Sequence, residues 1–121
     1  MTDHSDAVFF IDILKYANDL IDCGEDHPEL LIETPDWSCR KTYYASLLPI
    51  IRLGNAVRGL SPAGRKNFSQ QTLMWIEETS DLASHYDQYQ QIDGERYNKF
   101  FSEDLKPFRD KALDLAPVEP T

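Results

Sequence analysis

Large apolar and small side chains recur every three or four positions through the segment that follows Ser61. The spacing between them is 4-3-4-3-4, and the residues that show it are Phe68, Thr72, Trp75, Thr79, Leu82 and Tyr86. This period matches one face of an α-helix and excludes a half-buried strand, whose side chains alternate every two residues. Ser61 is suited to cap this helix and Pro62 to be its first residue. We therefore predict a long third helix over 61–89, with this row, widened by Ile76 and Ala83, as its buried face.

Three further helices are predicted from the same kind of spacing. The first runs from residue 5 or 6, with Ser5 or Asp6 as its cap, to residue 23, because Gly24 is a typical helix terminator. The second runs over 35–59 and the fourth over 93–115, and we expect Pro49 and Pro107 to kink or break them. The predicted inward side chains of these three helices are Phe10, Ile13, Leu14, Ala17, Leu20, Ile21, Trp37, Tyr44, Leu47, Leu48, Ile51, Tyr97, Phe100, Phe101, Leu105, Phe108, Ala112 and Leu113.

No segment of the chain alternates apolar and polar residues in the way that a strand requires. The predicted fold class is therefore all-α, an irregular four-helix up-and-down bundle with Pro-kinked second and fourth helices. A chain of 121 residues with 41% hydrophobic residues can bury a core without a metal or a disulfide. We predict a single helical-bundle domain over residues 1–116, followed by a flexible tail over 117–121.

Charge is strongly segregated along the chain. Residues 1–36 carry a formal charge of −9, residues 37–76 carry +6 without any acidic residue, and residues 77–121 carry −6. The net charge of −9 repels polyanions, so we expect no direct binding to nucleic acid or to an anionic membrane. The acidic N-terminus lacks the positive region of a signal peptide, so we expect a cytoplasmic protein whose Cys23 and Cys39 are reduced.

The basic middle segment, 40–66, has two interpretations. In the first, its cations pair with carboxylates of the first or fourth helix. In the second, the start of the third helix binds a phosphate or a nucleotide, because free backbone N–H groups and nearby cations attract anions there. The candidate anion-binding residues are Arg52, Arg58, Arg65 and Lys66, with Ser61 beside them. The preferred interpretation is internal pairing or solvation, and anion binding is kept as the alternative function.

Two carboxylate pairs raise the question of a metal site. Asp19 and Asp22 are three residues apart, and Glu78, Asp81 and His85 share one face of the third helix. Helical bundles hold divalent metals with such groups, and the pattern is similar to that of all-α nucleotide pyrophosphatases, which implies a metal-dependent hydrolase. It departs from their repeated Glu-x-x-Glu pairs, so a solvated outer face is the preferred interpretation. The cysteines and His27 match no zinc spacing, and we expect no metal and no cofactor.

The acidic helices indicate a different function. The chain resembles small helical proteins that bind other proteins, such as inhibitors and immunity proteins, which use carboxylate-rich faces to block basic sites. This resemblance implies a non-enzymatic, acidic protein-interaction module with a basic partner protein. The expected contact residues are Asp12, Asp19, Asp22, Glu77, Glu78 and Asp81, with Tyr86 and Tyr89 as aromatic anchors. The sequence leaves a monomer and a homodimer equally open.

Overall fold

The described part of the chain consists of helices joined by short turns and contains no strand. The computed structural model describes residues 4–26, 40–85 and 92–117. The all-α prediction is confirmed. The α-helices are α1 (His4–Asp26), α2 (Arg40–Gly59), α3 (Pro62–Arg65), α4 (Gln70–Ser84), α5 (Gly94–Lys99) and α6 (Leu105–Leu115), and a π-helical turn (Phe100–Asp104) connects the last two.

The first helix has the predicted buried stripe. Phe10, Ile13, Ala17 and Leu20 are buried, as the spacing of three and four predicts. Leu14 and Ile21 are partly buried against the same core. The predicted end at residue 23 is wrong, because α1 continues through Gly24 to Asp26. This extension places Glu25 and Asp26 in the last turn of the helix.

The second helix passes through Pro49 without a break, so of the two predicted outcomes the division into two pieces is wrong and a kink stays a prediction. Its buried side chains are Ser46, Ile50, Leu53, Ala56 and Val57. The predicted face was displaced by about one residue, since Leu47 and Ile51 are only partly buried and Leu48 is exposed. The predicted start of this helix, with Trp37, lies outside the described residues, and so does the side chain of Tyr44.

The predicted third helix is in fact two helices. Ser61 and Pro62 begin α3 as expected, but α3 ends at Arg65. Ser69 then caps α4 by accepting a hydrogen bond from the Thr72 N–H group at 3.3 Å. The helix ends at Ser84 rather than near residue 89. The predicted four-helix up-and-down arrangement, irregular as it was expected to be, is therefore not confirmed.

The buried face of α4 agrees only in part with the predicted one. Ile76 and Thr79 are buried as predicted, whereas Leu73 and Ser80 are buried without having been predicted. Thr72, Trp75 and Leu82 are only partly buried and lie at the edge of this face. Phe68 is buried, but it belongs to the turn between α3 and α4.

The predicted irregularity near Pro107 is confirmed as a π-helical turn. Pro107 has no N–H group to donate to the Glu103 carbonyl, and its ring crowds that carbonyl. The Leu105 N–H group donates to the Phe100 carbonyl, five residues back. Most of the predicted inward side chains are buried here, namely Tyr97, Phe100, Phe101, Leu105, Phe108 and Ala112, whereas Leu113 is exposed.

The helices pack in the order α4, α2, α1, α6. The most extensive contacts are between α2 and α4, between α1 and α2, and between α1 and α6. Aromatic rings join the ends of this arrangement, because Trp75 of α4 packs against Tyr97 and Phe100, and Phe68 packs against Phe108. The α1 helix therefore lies in the middle of the packing order, and its C-terminal end approaches the π-helical turn.

The crossing of α2 and α4 is very close. A Cβ atom added to Gly54 of α2 would overlap the side chain of Ser80 on α4. The Ser80 hydroxyl donates to the Ile51 carbonyl at 3.2 Å, which ties the two helices together at the same level. Small residues on both sides allow this approach.

Asp6 connects the start of α1 to the corner between α2 and α3. Its side chain is fully buried and accepts hydrogen bonds from the Ser61 N–H group at 2.8 Å and from the Ser61 hydroxyl at 2.5 Å. The Ser61 oxygen accepts in turn from the Gly64 N–H group at 3.1 Å. Asp6 is thus not the cap of its own helix, as its position in the sequence had indicated. It fixes the N-terminus of another helix.

Candidate functional site

The last eight residues of α1 carry an exposed group of carboxylates. We call this group the acidic end of α1, and its members are Asp19, Asp22, Glu25 and Asp26. Asp19, Asp22 and Asp26 are spaced by three and four residues and therefore lie along one face of the helix. The last turn of α1 contains no basic residue. Asp12, which was also predicted to contact a partner, is partly buried about two turns before this group begins.

No ion pair within the described ranges involves these four carboxylates. The C-terminus of an α-helix carries a partial negative charge. Each acidic side chain in the last turn is repelled by this charge, which destabilises the helix by about 0.3–1 kcal/mol at low ionic strength. The helix end and the side chains therefore add to one negative field. A cationic group brought to this surface from outside would lower that electrostatic energy.

The pKa of the Cys23 thiol, which lies among these carboxylates, responds to their negative charge. Burial of the partly exposed Cys23 side chain raises the pKa of its thiol above the ordinary value, and the negative charges of Asp19, Asp26 and Asp22 raise that pKa further. The thiolate is disfavoured because it would add a negative charge beside three others. The thiol of Cys23 should accordingly react more slowly than an exposed thiol.

The double variant Asp19→Asn/Asp22→Asn is expected to increase the alkylation rate of Cys23 at pH 8 by about two- to fivefold. Removing two negative charges lowers the pKa of the thiol toward its ordinary value and increases the thiolate fraction. Burial is retained, so the rate stays below that of a small free thiol. The measurement is iodoacetamide labelling of reduced protein that carries Cys39→Ser, followed by mass spectrometry.

The matched control is Glu95→Gln/Asp114→Asn, which removes the same charge from exposed positions on α5 and α6. It should leave the Cys23 rate unchanged. Equal rates in the two double variants would show that the acidic end has no particular influence on the thiol.

A groove adjoins the acidic end where α1 meets the π-helical turn and α6. Its volume is about 180 Å³. Its lining residues are Ile21, Gly24, Glu25, Phe101, Ser102, Leu105 and Lys106. Glu25 belongs both to this groove and to the acidic end, so the two features form one continuous surface. We call the cavity the α1/α6 groove.

Unlike the carboxylates at the acidic end of α1, two carboxylates of α4 form ion pairs with arginines of the basic segment. Arg65 forms an ion pair with Glu77, and its guanidinium also donates to the Val57 carbonyl at 3.2 Å. Arg58 pairs with Asp81 at 2.6 Å and donates to the Glu77 carbonyl at 2.9 Å. Internal pairing was expected, but with carboxylates of the predicted first helix or of the predicted fourth helix over 93–115. The observed partners lie on α4, within the predicted third helix, so the expected partners were wrong.

The predicted anion site is only partly assembled. Arg58 and Arg65 are paired with α4, whereas Arg52 and Lys66 are exposed and make no ion pair with another described residue. The carboxylate of Asp6 takes the hydrogen bonds that an anion at Ser61 was predicted to accept. Binding of a phosphate or nucleotide by these residues stays a prediction.

The candidate metal ligands of the alternative interpretation, on α4, are not grouped. Asp81 pairs with Arg58, and the Nδ1 atom of His85 lies 2.7 Å from the Asp81 carbonyl oxygen. Among the residues that the structure describes, no three His, Cys, Asp or Glu side chains are placed to hold one metal ion. Glu78 is exposed and forms no ion pair with another described residue. Tyr86, Tyr89, His27 and Cys39 lie outside the described residues.

A second cavity of about 350 Å³ lies between the α3–α4 turn and α6. Phe68 and Phe108 line it, and their ring centroids are 4.9 Å apart. Its other lining residues include Glu103, Asp104 and Lys111. Because this lining mixes acidic, basic and neutral groups, it indicates no particular class of ligand.

Glu25, Asp26 and the α1/α6 groove were not predicted. Gly24 was taken to end the helix, which placed both acids in a connector. The signal that could have found them is the continuation of the three- and four-residue spacing from Asp19 through Asp22 to Asp26. The groove depends on how α1 packs against α6, so no local pattern indicates it.

Comparisons of this chain with protein-family models, with curated proteins and with solved structures each gave no significant match. Its function must therefore be argued from the geometry and chemistry of its surfaces. Within the described ranges, none of the helices has both the length and the apolar character needed to cross a bilayer.

Proposed function

We propose that this protein is a non-enzymatic interaction module that binds a basic partner protein through the acidic end of α1. The observation that supports this function most directly is the contrast between its two acidic helices. On α4, Glu77 and Asp81 are neutralised by arginines of the same chain. On α1, the carboxylates of the acidic end have no such counterpart among the described residues, and this supports a role in attracting an external cation.

The surface combines a charged part and an apolar part, which is typical of protein interfaces. Carboxylates steer a cationic partner during diffusion and set its orientation, while buried apolar contacts supply most of the affinity. The acidic end supplies the carboxylates that steer the partner, and the adjoining α1/α6 groove supplies the apolar contacts. The sequence prediction placed contact residues on both acidic helices. Glu77 and Asp81 belong to the fold's own ion pairs, so the proposed contact surface keeps Asp19 and Asp22 of α1 and omits these two residues of α4.

An inhibitor or immunity-type role is the form of this function that the charge favours. A negative surface that covers a partner's cationic surface would block whatever anionic substrate that surface binds. Asp12 of α1 and Glu78 of α4 stay predicted contacts, because neither is paired with another described residue. Tyr86 and Tyr89 remain predicted anchors.

The test begins with a partner isolated from lysate on the tagged protein at low salt and eluted with a salt gradient. The association rate constant is then measured by stopped-flow at two salt concentrations. Asp19→Asn/Asp22→Asn is expected to slow association about tenfold at low salt and to have a smaller effect at high salt, because electrostatic steering is screened.

The control is again Glu95→Gln/Asp114→Asn, which makes the same change in net charge elsewhere. It should alter the association rate less than twofold. If both double variants slow association equally, only net charge matters and the acidic end is not the contact surface. Unchanged rates in both would contradict the function itself.

A further inference from the structure

The α1/α6 groove has the size of one side chain. Its apolar lining consists of Ile21, Phe101 and Leu105, of which Phe101 and Leu105 belong to the buried core. Apolar cavities of about 150 Å³ hold a benzene molecule. The groove, at about 180 Å³, is therefore large enough for one leucine, methionine or phenylalanine side chain.

The charges around the groove are arranged asymmetrically. Glu25 stands on the α1 side, with Asp22 and Asp26 next to it on the same helix turn. Lys106 stands on the α6 side. Ser102, which is exposed, lies on the π-helical turn that forms the rest of the rim. A bound segment would therefore meet negative charge on one side of its apolar residue and a positive charge on the other.

We propose that the α1/α6 groove receives one apolar side chain from a basic segment of the partner, an inference that rests on the proposed function. Lysines or arginines of that segment lie over the acidic end of α1. Lys106 sets the direction, because cationic residues are repelled from the α6 side and a neutral or acidic residue fits there. The partner's recognition element is thus a large apolar residue with cations on one side of it only.

This arrangement explains how a strongly acidic surface achieves specificity. Exposed ion pairs contribute little affinity and distinguish poorly between cationic partners. A filled apolar pocket beside them adds a shape requirement, because burying a leucine or phenylalanine side chain favours binding and an alanine at the same place does not. The charges attract many basic segments, and the groove selects among them.

The test uses two fluorescein-labelled peptides with a run of four lysines followed by one variable residue and two serines. The variable residue is leucine in one peptide and alanine in the other. In fluorescence anisotropy titrations at low salt, the wild-type protein is expected to bind the leucine peptide about tenfold more tightly than the alanine peptide. Asp19→Asn/Asp22→Asn should weaken both peptides to a similar extent.

The decisive variant is Ser102→Phe, which places a ring at the rim of the groove. It should abolish the preference for leucine while leaving binding of the alanine peptide unchanged. Ser84→Phe is the matched control, because Ser84 is also an exposed serine on a helix but lies at the end of α4. It should retain the tenfold preference. Circular dichroism is used to check that both variants are folded.

The possible results separate the groove from the proposed function. Equal binding of the two peptides, or a leucine preference that survives Ser102→Phe, would overturn the groove proposal and leave charge-based binding intact. Failure of both peptides to bind would contradict the function as well. A wild-type dimer that Ser102→Phe converts to a monomer would assign the groove to a second copy of the chain and overturn the proposal.

Discussion

Replacing Asp6 with alanine is expected to lower the free energy of unfolding by about 3 kcal/mol. The buried carboxylate accepts two hydrogen bonds from Ser61, and charge-assisted hydrogen bonds of this kind contribute more than neutral ones. The variant loses both and leaves the partly buried Ser61 N–H group without its acceptor. Urea unfolding followed by circular dichroism measures the loss.

Two controls distinguish this effect from a general effect of removing an acid from α1. Asp6→Asn keeps one carbonyl acceptor and should lose about half as much stability. Asp19→Ala removes an exposed carboxylate from the same helix and should change stability by no more than about 0.5 kcal/mol. If Asp6→Ala were no worse than Asp19→Ala, the junction between α1 and the α2–α3 corner would have no role in stability.

Replacing Gly54 with valine is expected to destabilise the protein by about 3 kcal/mol, the upper part of the range for overpacked cores. The added side chain would overlap Ser80 across the closest approach of α2 and α4. The two helices would have to separate, which also breaks the hydrogen bond between Ser80 and the Ile51 carbonyl. The same urea unfolding experiment measures the change.

The neighbouring substitution Asn55→Val provides the matched control. Asn55 is exposed on the same helix, and its side chain accepts one exposed hydrogen bond from Arg58 at 3.2 Å. This variant therefore reports the effect of a β-branched residue in α2, together with the loss of that bond, without the steric overlap. Exchanging the small residues, in Gly54→Ala/Ser80→Gly, should restore most of the stability lost in Gly54→Ala alone. A Gly54→Val variant as stable as Asn55→Val would mean that the helices do not cross as closely as described.

The helical character of the fold was predictable because it depends on local spacing. The stripe of Phe10, Ile13, Ala17 and Leu20 repeats with the helical period, and burial follows directly from that repeat. The face of α4 was not predictable in the same way. The spacing of large apolar residues predicted a buried face that includes Trp75. The contact with α2 is instead made at Ser80, whose small side chain allows the backbone of α2 at Gly54 to come close.

The candidate site was predictable only in part, and for a related reason. Asp19 and Asp22 stand on an exposed helical face whatever α1 packs against. Whether a carboxylate is neutralised depends on which arginine lies opposite, and this is a property of the tertiary structure. Glu77 and Asp81 have the same local appearance as the α1 acids, but Arg65 and Arg58 reach them across the α2–α4 contact.

The central place of α1 in the packing order has a consequence for biosynthesis. This helix leaves the ribosome before either of the helices that cover it, since α2 begins at Arg40 and α6 at Leu105. Asp6 meets its hydrogen-bond donor only when residue 61 has been made. Until then the nascent chain exposes Phe10, Ile13 and Leu20 to water, which is the kind of segment that chaperones bind. Among the described helices α1 thus comes before α2 and α6, and its buried face is complete only after α6 has been made.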